Sequence, residues 1–588
     1  MKRFNKTLLA LVLVLLMTLC PLAGYAQEGY TSLDDFQLWD ENGVVLRTGR
    51  SATGTQAVVA SGKYEASKIG IQILEAGGNA IDAAVAVGFA LGFAEPNATG
   101  VGGGGFMTLR LASTGETVFI DFRERAPSAA SPEMWQTYTD ANGNTAVIGS
   151  QKTLGGKSSG IPGEVAGMLY ALENYGTMSR EEVLRPVADL ARAGLTVSPT
   201  LNSDMMNSYD TMLLYSESGD LFLKDIDGMK MPYEVGEVFK NPEYAKLMEK
   251  IIAEGRDGFY KGEVAKAIVD TVNKYGGLFT MEDMANYEVE VLEPIKGTYR
   301  GYEIISSPPP SSGGTIIVQI LNILENFDLP SMEDNSAEEL HLISEAFKMA
   351  YADRGEYMGD VKFVDVPLDG LVSKDYAKLL SEKIDPNVSM ENVMPDDPWM
   401  FEHEDTTHFS VADKEGNIVA VTQTVNYVFG SKVAIPGWGF VMNNEMDDFV
   451  VGAGHPNSIA GNKTPLSSMS PTVILTPEGE PYAVLGSPGG TTIIAAVAQV
   501  ISNLIDHGMT MQEAVDAPRI SGYNNNTISY ESRIDPEEIA KLEAIGHICE
   551  ASDDWNRSFG SVNAVRYAPD GTLDGAGDPR RDGKALGF

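Results

Sequence analysis

One segment of the sequence is apolar on nearly all sides and rich in small residues, and it constrains the fold strongly. Asn79, with Asp82 three residues later, has the pattern of a helix N-cap, and the apolar run at 80–93 follows it. A helix without a polar face has to be buried on every side. Its alanines and glycines allow close approach, so we expect this helix to press against a β-sheet.

Helix and strand patterns occur on both sides of residue 405. Apolar periodicity predicts helices at 64–75, 165–174, 180–193 and 491–505. Alternating segments predict strands at 471–475 and 482–485, and a hairpin that begins at Thr406 and turns at 414–417. Neither part looks complete alone, so we expect one layered α+β unit built from both.

The first residues have the pattern of a secretory signal. Basic residues at the start precede an apolar run at 8–19, and the small residues Gly24 and Ala26 suit a signal peptidase. The run is shorter than the roughly 20 apolar residues that span a bilayer. We therefore expect residues 1–26 to be a signal peptide, removed on export to the periplasm or the extracellular space.

The charge of the chain excludes some classes of partner. The net charge is −39 and is spread along the sequence, which argues against nucleic acid and anionic membranes as partners. No stretch after the signal is long and apolar enough to span a membrane. Removal of the signal would leave Cys549 as the single cysteine, so no disulfide within the chain is expected. An anionic substrate would need local cations to hold it.

The glycine run at 100–105 fits the dinucleotide-binding pattern, but its context is reversed. It follows a predicted helix and leads into a strand-like run at 106–112, whereas a nucleotide loop follows a strand and opens a helix. The six histidines form no zinc-protease motif, and a metal site at His403 and His408 is not favoured. The sequence predicts neither a cofactor nor a metal centre.

Two other segments carry modest chemistry of their own. Residues 486–490, Gly-Ser-Pro-Gly-Gly, lie between a predicted strand and helix, where free N–H groups can hold an oxyanion, although an ordinary turn has the same pattern. Thr406 follows Asp405 at a strand start. Its hydroxyl needs a neighbouring base, and a freed α-amino group with a pKa of about 8 suits that task. Composition does not establish the cleavage that this requires.

Nine segments taken in order resemble the γ-glutamyltransferases, a family of N-terminal nucleophile hydrolases made as single precursors. The likeness runs from residue 57 to residue 580. The segments are 77–85, 102–107, 121–127, 160–163, 308–314, 406–411, 443–448, 465–472 and 486–490.

The resemblance implies an α+β fold of four layers, an αββα sandwich, formed jointly by two subunits of one precursor. Thr406 would attack the carbonyl of Asp405, and cleavage would give a heterodimer of a large subunit, 27–405, and a small catalytic subunit, 406–588. The same hydroxyl would then attack γ-glutamyl amides. Glutathione and other γ-glutamyl compounds would be donors, and water, amino acids or dipeptides would be acceptors.

The resemblance also implies roles for single residues. The nucleophile Thr406, the threonine that orients it and the oxyanion-hole pair match at Thr406, Thr424, Gly489 and Gly490. Residues for the glutamyl α-carboxylate and α-ammonium match at Arg123, Ser467, Ser468, Asn426, Glu445 and Asp448. A guanidinium fork suits a carboxylate better than lysine does. Without the motif context, Arg123 would read as a surface salt bridge and 447–448 as a solvated turn.

The sequence departs from the family pattern at two places. The segment 449–465 is short compared with members that carry a lid, and it contains no tyrosine, so we expect an open pocket that admits bulky γ-glutamyl chains. Thr464 replaces a basic residue that many relatives carry. The effect of Asp405 on the rate of maturation is open.

Three other functions fit the same scaffold or the same ligand. They are a poly-γ-glutamate depolymerase, a cephalosporin (glutaryl) acylase, and a non-catalytic binder of γ-glutamyl peptides. The set Asn426, Glu445 and Asp448 argues against the acylase, because a glutaryl group has no amine. The intact Thr406 and Thr424 argue against the binder.

Overall fold

The computed structural model describes residues 38–40, 44–139, 145–391, 393–394 and 405–588. The predicted signal peptide, 1–26, and His403 lie outside these residues, and Asp405 is described by its backbone alone. No helix within the described ranges has the length and apolar character that crossing a membrane requires.

Two antiparallel sheets of seven strands form the centre of the molecule. The first sheet has the order β11 (Glu290–Leu292), β4 (Thr117–Phe122), β3 (Gly104–Arg110), β15 (Ile418–Asn426), β14 (Asp405–Asp413), β2 (Ala57–Ser61) and β25 (Lys584–Gly587). The second has the order β1 (Ala52–Gly54), β24 (Leu573–Ala576), β23 (Ala564–Tyr567), β19 (Pro481–Leu485), β18 (Thr472–Leu475), β13 (Tyr302–Ser306) and β12 (Ile295–Tyr299).

Short strands outside these sheets form ribbons around them. They are β5 (Thr137–Thr139) with β6 (Thr145–Val147), β7 (Leu195–Thr196) with β10 (Val238–Phe239), β8 (Lys224–Ile226) with β9 (Met229–Met231), β16 (Ala434–Ile435) with β17 (Phe440–Val441), and β20 (Ile520–Gly522), β21 (Thr527–Glu531) and β22 (Ile548–Ser552).

Helices cover the outer faces of both sheets. Those before residue 290 are α1 (Tyr64–Glu75), α2 (Ala80–Ala94), α3 (Glu164–Tyr175), α4 (Arg180–Ala193), α5 (Pro199–Leu214), α6 (Ser216–Phe222), α7 (Pro242–Glu254), α8 (Asp257–Tyr260), α9 (Gly262–Lys274) and α10 (Met281–Ala285). Those after it are α11 (Gly313–Leu324), α12 (Ala337–Tyr357), α13 (Leu368–Leu371), α14 (Lys374–Ser381), α15 (Thr492–Ile505), α16 (Met511–Asp516) and α17 (Pro536–Ala544).

Three buried clusters show that the molecule has four layers. Val58, Ala420 and Val484 belong to a cluster between the two sheets. A second cluster joins the first sheet to α1, α2, α3 and α4, and a third joins the second sheet to α11, α12 and α15. The αββα sandwich of class α+β is therefore confirmed, and strands from both sides of residue 405 contribute to each sheet.

The apolar helix predicted at 80–93 is α2, and its environment is as expected. Asn79 and Asp82 form a capping box, and every residue of α2 is buried. The helix packs against the two central strands of the first sheet, β14 and β15. Gly92 permits a close approach, because a Cβ there would lie 2.5 Å from the Tyr244 hydroxyl. Helix α2 therefore packs directly against β14, the strand that carries Thr406 as its second residue.

Candidate active site

Thr406 lies at the start of β14, in the middle of the first sheet, and is buried. Its Oγ1 donates a hydrogen bond of 3.3 Å to Oγ1 of Thr424, which is its direct partner on β15. The pairing register shifts between Asp405 and Thr406, because Asp405 pairs with Asn426 and Val425 is left over. A β-bulge of this kind bends a strand and redirects its backbone. The regular ladder therefore ends at the predicted cleavage position.

Thr424 connects the threonine pair to a polar cluster. The backbone N–H of Asn426 donates to Thr424 Oγ1 over 2.7 Å. Asn426 has a φ of 74°, a left-handed conformation that asparagine tolerates better than most residues. Its side-chain amide donates to Asp448 Oδ1 at 3.2 Å. The bulge thus directs the amide of Asn426 towards Asp448.

Arg123 and two carboxylates form the charged centre of the site. The guanidinium of Arg123 bonds Asp448 and lies 2.9 Å from Glu445 Oε2. It also donates to the carbonyl of Leu466 over 3.2 Å. Only 2% of Arg123 is exposed, so it is not a surface salt bridge. The turn Glu445–Asp448 is likewise a buried 3-10 turn rather than a solvated one.

Ser467 and Ser468 lie directly beyond Leu466 and are buried. The carbonyl of Ser467 accepts a 2.7 Å hydrogen bond from Ser312 Oγ. Arg354, on α12, donates to Ser468 Oγ at 3.0 Å and to Ser312 Oγ at 2.8 Å. A buried arginine thus fixes the serine pair. Sequence reasoning missed Arg354, because a helical arginine in isolation carries no signal of a site.

Gly489 and Gly490 lie in the loop between β19 and α15, as the sequence predicted. Their φ angles of 130° and 59° are positive, which suits glycine. The loop is braced, since Ser487 Oγ accepts from the backbone N–H of Ser561 over 2.9 Å. The preceding strand, β19, packs across the sandwich against β14 and β15. The glycine loop is therefore held by the small C-terminal part of the chain.

His408 lies between the two sheets and is neutral. Its Nδ1 is 2.8 Å from Thr422 Oγ1 and its Nε2 is 3.1 Å from Ser410 Oγ. Burial lowers the pKa of His408 to about 3. Gly486 packs on its ring, because a Cβ there would lie 2.5 Å from the imidazole. The neutral side chain of His408 therefore fills the space between β14 and the loop that contains Gly489.

Beneath the charged centre, burial favours the neutral form of two carboxyl groups. Desolvation raises the pKa of Glu124 to about 8, although Arg123 opposes the change. Desolvation also raises the pKa of Glu164 well above its usual value, with Glu124 adding to the effect. The carboxylates of Glu445 and Asp448 also lie closer to the Arg123 guanidinium than that of Glu124, which is 3.8 Å away.

The backbone of Thr406 also contacts charged residues. Arg581, just before β25, donates from Nη1 to the carbonyl oxygen of Thr406 at 2.9 Å. On the other side, the hydroxyl of Thr407 bonds Glu95, which follows α2. The resemblance gave no role to Arg581 or Glu95, and neither residue lies in a motif with recognisable chemistry.

Two groups of possible metal ligands occur among the described residues, and neither includes a residue of the proposed site. Asp334, Glu339 and His507 form one, and His341, Glu345 and His547 form the other. In the second group the ammonium of Lys348 lies 2.6 Å from Glu345 Oε1. A cation of the protein thus already satisfies that carboxylate.

A cleft of about 460 Å³ lies near the charged centre, although Arg123, Glu445 and Asp448 are not among its lining residues. It is lined by Arg125, Tyr287 and Asn462 among others. The hydroxyl of Tyr287 donates to the carbonyl of Arg123 at 2.9 Å. Asn462 belongs to the short segment 449–465, so this cleft borders the region where the sequence predicted an open pocket.

The architecture and the threonine at the start of a central strand define the class. This is an N-terminal nucleophile hydrolase fold, in which two antiparallel sheets are enclosed by helices. Comparison with known proteins gives the family. Residues 66–588 match the gamma-glutamyltranspeptidase family model.

Individual relatives agree with the family model. The chain is 42% identical over 544 residues to the glutathione hydrolase proenzyme of Escherichia coli, covering 89% of this chain and 90% of that protein. It is 40% identical over 541 residues to the acylase ACY 1 proenzyme of a Pseudomonas species, covering 91% and 94%. The crystal structure of a cephalosporin acylase from Bacillus halodurans superimposes with a TM-score of 0.83 at 28% identity, covering 94% and 99%. The chain belongs to the γ-glutamyltranspeptidase family and is an enzyme.

Proposed function

We propose that this protein is an exported, self-cleaving γ-glutamyltransferase and glutathione hydrolase whose nucleophile is Thr406. The observation that carries the proposal is one connected set of contacts. Thr406 bonds Thr424, Thr424 accepts from Asn426, and Asn426 reaches the Arg123–Asp448 pair. A nucleophile and a recognition site of mixed charge are thus joined within a few residues.

Self-cleavage begins with the precursor. Thr406 Oγ attacks the carbonyl carbon of Asp405, the C–N bond between the two residues breaks, and the acyl group moves from nitrogen to oxygen. Water then hydrolyses the ester. The products are the large subunit, 27–405, with Asp405 as its new carboxylate end, and the small subunit, 406–588. The shift in strand register between Asp405 and Thr406 supports this position, because the peptide lies outside the regular ladder.

The same hydroxyl then acts on the substrate. Thr406 Oγ attacks the γ-carbonyl of a γ-glutamyl amide while the freed α-amine of Thr406 accepts its proton. The amine of the leaving group receives a proton as the C–N bond breaks. Gly489 and Gly490 supply N–H groups to the oxyanion, and Thr424 orients the nucleophile. Water or the amine of an amino acid or dipeptide then takes the glutamyl group from the ester.

Recognition depends on opposite charges at the two ends of the amino-acid head group. Arg123, with the hydroxyls of Ser467 and Ser468, binds the α-carboxylate, and Asn426, Glu445 and Asp448 bind the α-ammonium. Binding exchanges the direct Arg123–Asp448 contact for one contact from each residue to the substrate. One buried ion pair within the protein is thus replaced by two ion pairs with the substrate, one at its carboxylate and one at its ammonium group. A ligand that carries both groups is therefore expected to bind more tightly than a simple acid. Glutathione and other γ-glutamyl compounds have this head group.

Two other substrate classes share the scaffold. A glutaryl acylase would bind a side chain without an amine, so the buried Glu445 and Asp448 disfavour that activity here. A γ-linked glutamate polymer has the correct head group at its end. The short 449–465 segment, which contributes Asn462 to the lining of a nearby cleft, is the feature that supports such a longer chain.

The proposal is tested with three forms of the purified protein. The wild type is expected to run as two bands, to release glutamate from glutathione and to transfer it to glycylglycine. Thr406→Ala is expected to stay one band without activity, and Thr406→Ser to retain part of both reactions, because it keeps a hydroxyl. An active, cleaved Thr406→Ala variant, or a cleaved wild type without γ-glutamyl activity, would refute the proposal.

A further inference from the structure

Arg581 contacts the backbone of the proposed nucleophile from a neighbouring part of the first sheet. It lies in the segment between β24 and β25, and β25 is separated from β14 only by β2. Its Nη1 donates to the carbonyl oxygen of Thr406 at 2.9 Å, and only 8% of the residue is exposed. A full positive charge is thus fixed beside Thr406 in a buried setting, where salt screens it little.

The distance between this charge and the Thr406 nitrogen is short. Within one residue the carbonyl oxygen and the nitrogen are joined by three bonds, so Nη1 of Arg581 lies within about 7 Å of that nitrogen. A like charge at such a distance disfavours protonation of an amine. The amine that self-cleavage would release therefore appears beside a resident cation.

We propose that Arg581 is a positioning residue that anchors the Thr406 carbonyl and, by its charge, keeps the freed α-amine of Thr406 in the unprotonated form that accepts the proton of the nucleophile. This inference rests on the proposed function. The amine acts as the base, and Arg581 acts through it without contacting the substrate.

Other charged groups near Thr406 have partners of their own. Lys63 is paired with Asp582, and Ser198 and Thr200 also donate to that carboxylate. Glu95 bonds the hydroxyl of Thr407, and burial raises its pKa, although Lys63 and Arg581 oppose the change.

The remaining charges face Thr406 from other elements. Asp448 is reached only through Thr424 and Asn426, and its charge is met by Arg123. His408, on the same strand, is neutral. Of these charged groups, Arg581 is the one that bonds Thr406 itself.

The test separates the charge of Arg581 from its hydrogen bond. Arg581→Gln keeps an N–H donor and removes the charge, whereas Arg581→Lys keeps the charge. The acidic limb of kcat/KM against pH reports the base in the free enzyme. For Arg581→Gln this limb is expected to move to higher pH by about one unit, and for Arg581→Lys it is expected to stay in place. Arg192→Gln removes a charge from an exposed ion pair and serves as the control.

A second readout does not depend on activity. The small subunit is labelled over a pH range with a reagent that modifies only unprotonated amines, and the label on Thr406 is measured by mass spectrometry. The wild-type α-amine is expected to have a pKa below the usual value of about 7.7–8.0, and Arg581→Gln to raise it. The inference would be overturned by a pKa of the wild-type α-amine at or above 8. It would also be overturned if the acidic limb of kcat/KM lay at the same pH in the wild type and in Arg581→Gln. Absence of γ-glutamyl activity in the wild type would instead refute the proposed function.

Discussion

Asp448 is the residue on which recognition depends most directly. It contacts Arg123 and accepts from Asn426, and it is buried, so its charge is not screened by solvent. In the proposed complex it holds the α-ammonium of the glutamyl group. A glutaryl group has the same carboxylate and the same γ-carbonyl but no amine.

Replacing Asp448 by Asn is expected to remove this selectivity. The KM for a γ-glutamyl donor should rise by about 100-fold, because truncating a buried charge pair costs about 2–5 kcal/mol. The KM for the matching glutaryl compound should change little. Both are measured with chromogenic anilides, with Asp189→Asn on the surface of α4 as the control. An equal rise in KM for both compounds would contradict the role of Asp448.

For single residues, the sequence predicted one contact of the proposed site and missed others. Thr406 and Thr424, which the resemblance paired as nucleophile and orienting residue, do lie directly opposite each other. Arg354 and Arg581 were not predicted, because their contacts with Ser468 and with the Thr406 carbonyl depend on segments far apart in the sequence. A single sequence contains no local pattern for contacts of that kind.

At the scale of elements, α12 is joined to the start of β22 by a buried network. His341 Nδ1 lies 2.8 Å from His547 Nε2, and His547 Nδ1 lies 3.2 Å from Ser389 Oγ. Lys348 donates to Ser389 and to Glu345. The same helix carries Arg354, so this network helps to fix the element that holds Ser468.

The network predicts a loss of stability in acid. Burial, aided by Lys348 and His341, lowers the pKa of His547 to about 3. An unfolded histidine titrates near 6.5, so between these values the unfolded chain binds the extra proton, and stability falls as the pH drops below about 6.5. His547→Gln should reduce this fall by about 1 kcal/mol per pH unit, measured from urea unfolding at pH 7 and pH 5.

His507 provides a control of opposite sign. The hydrogen bond with Glu339 raises the pKa of His507 in the folded protein. Protonated His507 therefore stabilises the fold at a pH below the pKa of an unfolded histidine, and this stabilisation is lost as the pH rises through the pKa of the folded state. His507→Gln should therefore make the protein more sensitive to acid. If both variants showed the same pH dependence as the wild type, the protonation states assigned to the two histidines would be wrong.

Helix α2 shows why some elements could be predicted and others could not. Its apolar run, its N-cap and its length all indicated one buried helix, and α2 matches that prediction within one residue. The ribbons β5–β6 and β8–β9 were not predicted, since strands of three residues leave almost no periodic pattern. The order of strands in each sheet could not be predicted from the sequence either, because it depends on pairing between segments far apart in the chain.

At the scale of the whole molecule, the two proposed subunits are interleaved. Strands β14 and β15 of the 406–588 part lie between β3 and β2 of the 27–405 part, and the second sheet mixes both parts as well. Val58, Ile305 and Val484 share one buried cluster across this division. Separation of the subunits would expose unpaired strand edges and the central core.

We therefore expect the cleaved subunits to stay together as a tight heterodimer. They should elute as one peak in size-exclusion chromatography and separate only when denaturant unfolds the protein. The measurement compares the elution of cleaved wild type with that of uncleaved Thr406→Ala, which should be nearly identical. Elution of two independent folded subunits in native buffer would show that the shared sheets do not hold the molecule together.

The central claim is that Thr406 becomes the first residue of the small subunit and carries the glutamyl group. N-terminal sequencing and intact mass of the small subunit, before and after rapid mixing with a γ-glutamyl substrate and acid quenching, test both halves. The account predicts a subunit that begins Thr-Thr-His-Phe-Ser and gains one γ-glutamyl group, as an ester located on Thr406. A small subunit that begins at another residue, or a glutamyl group attached elsewhere, would contradict it.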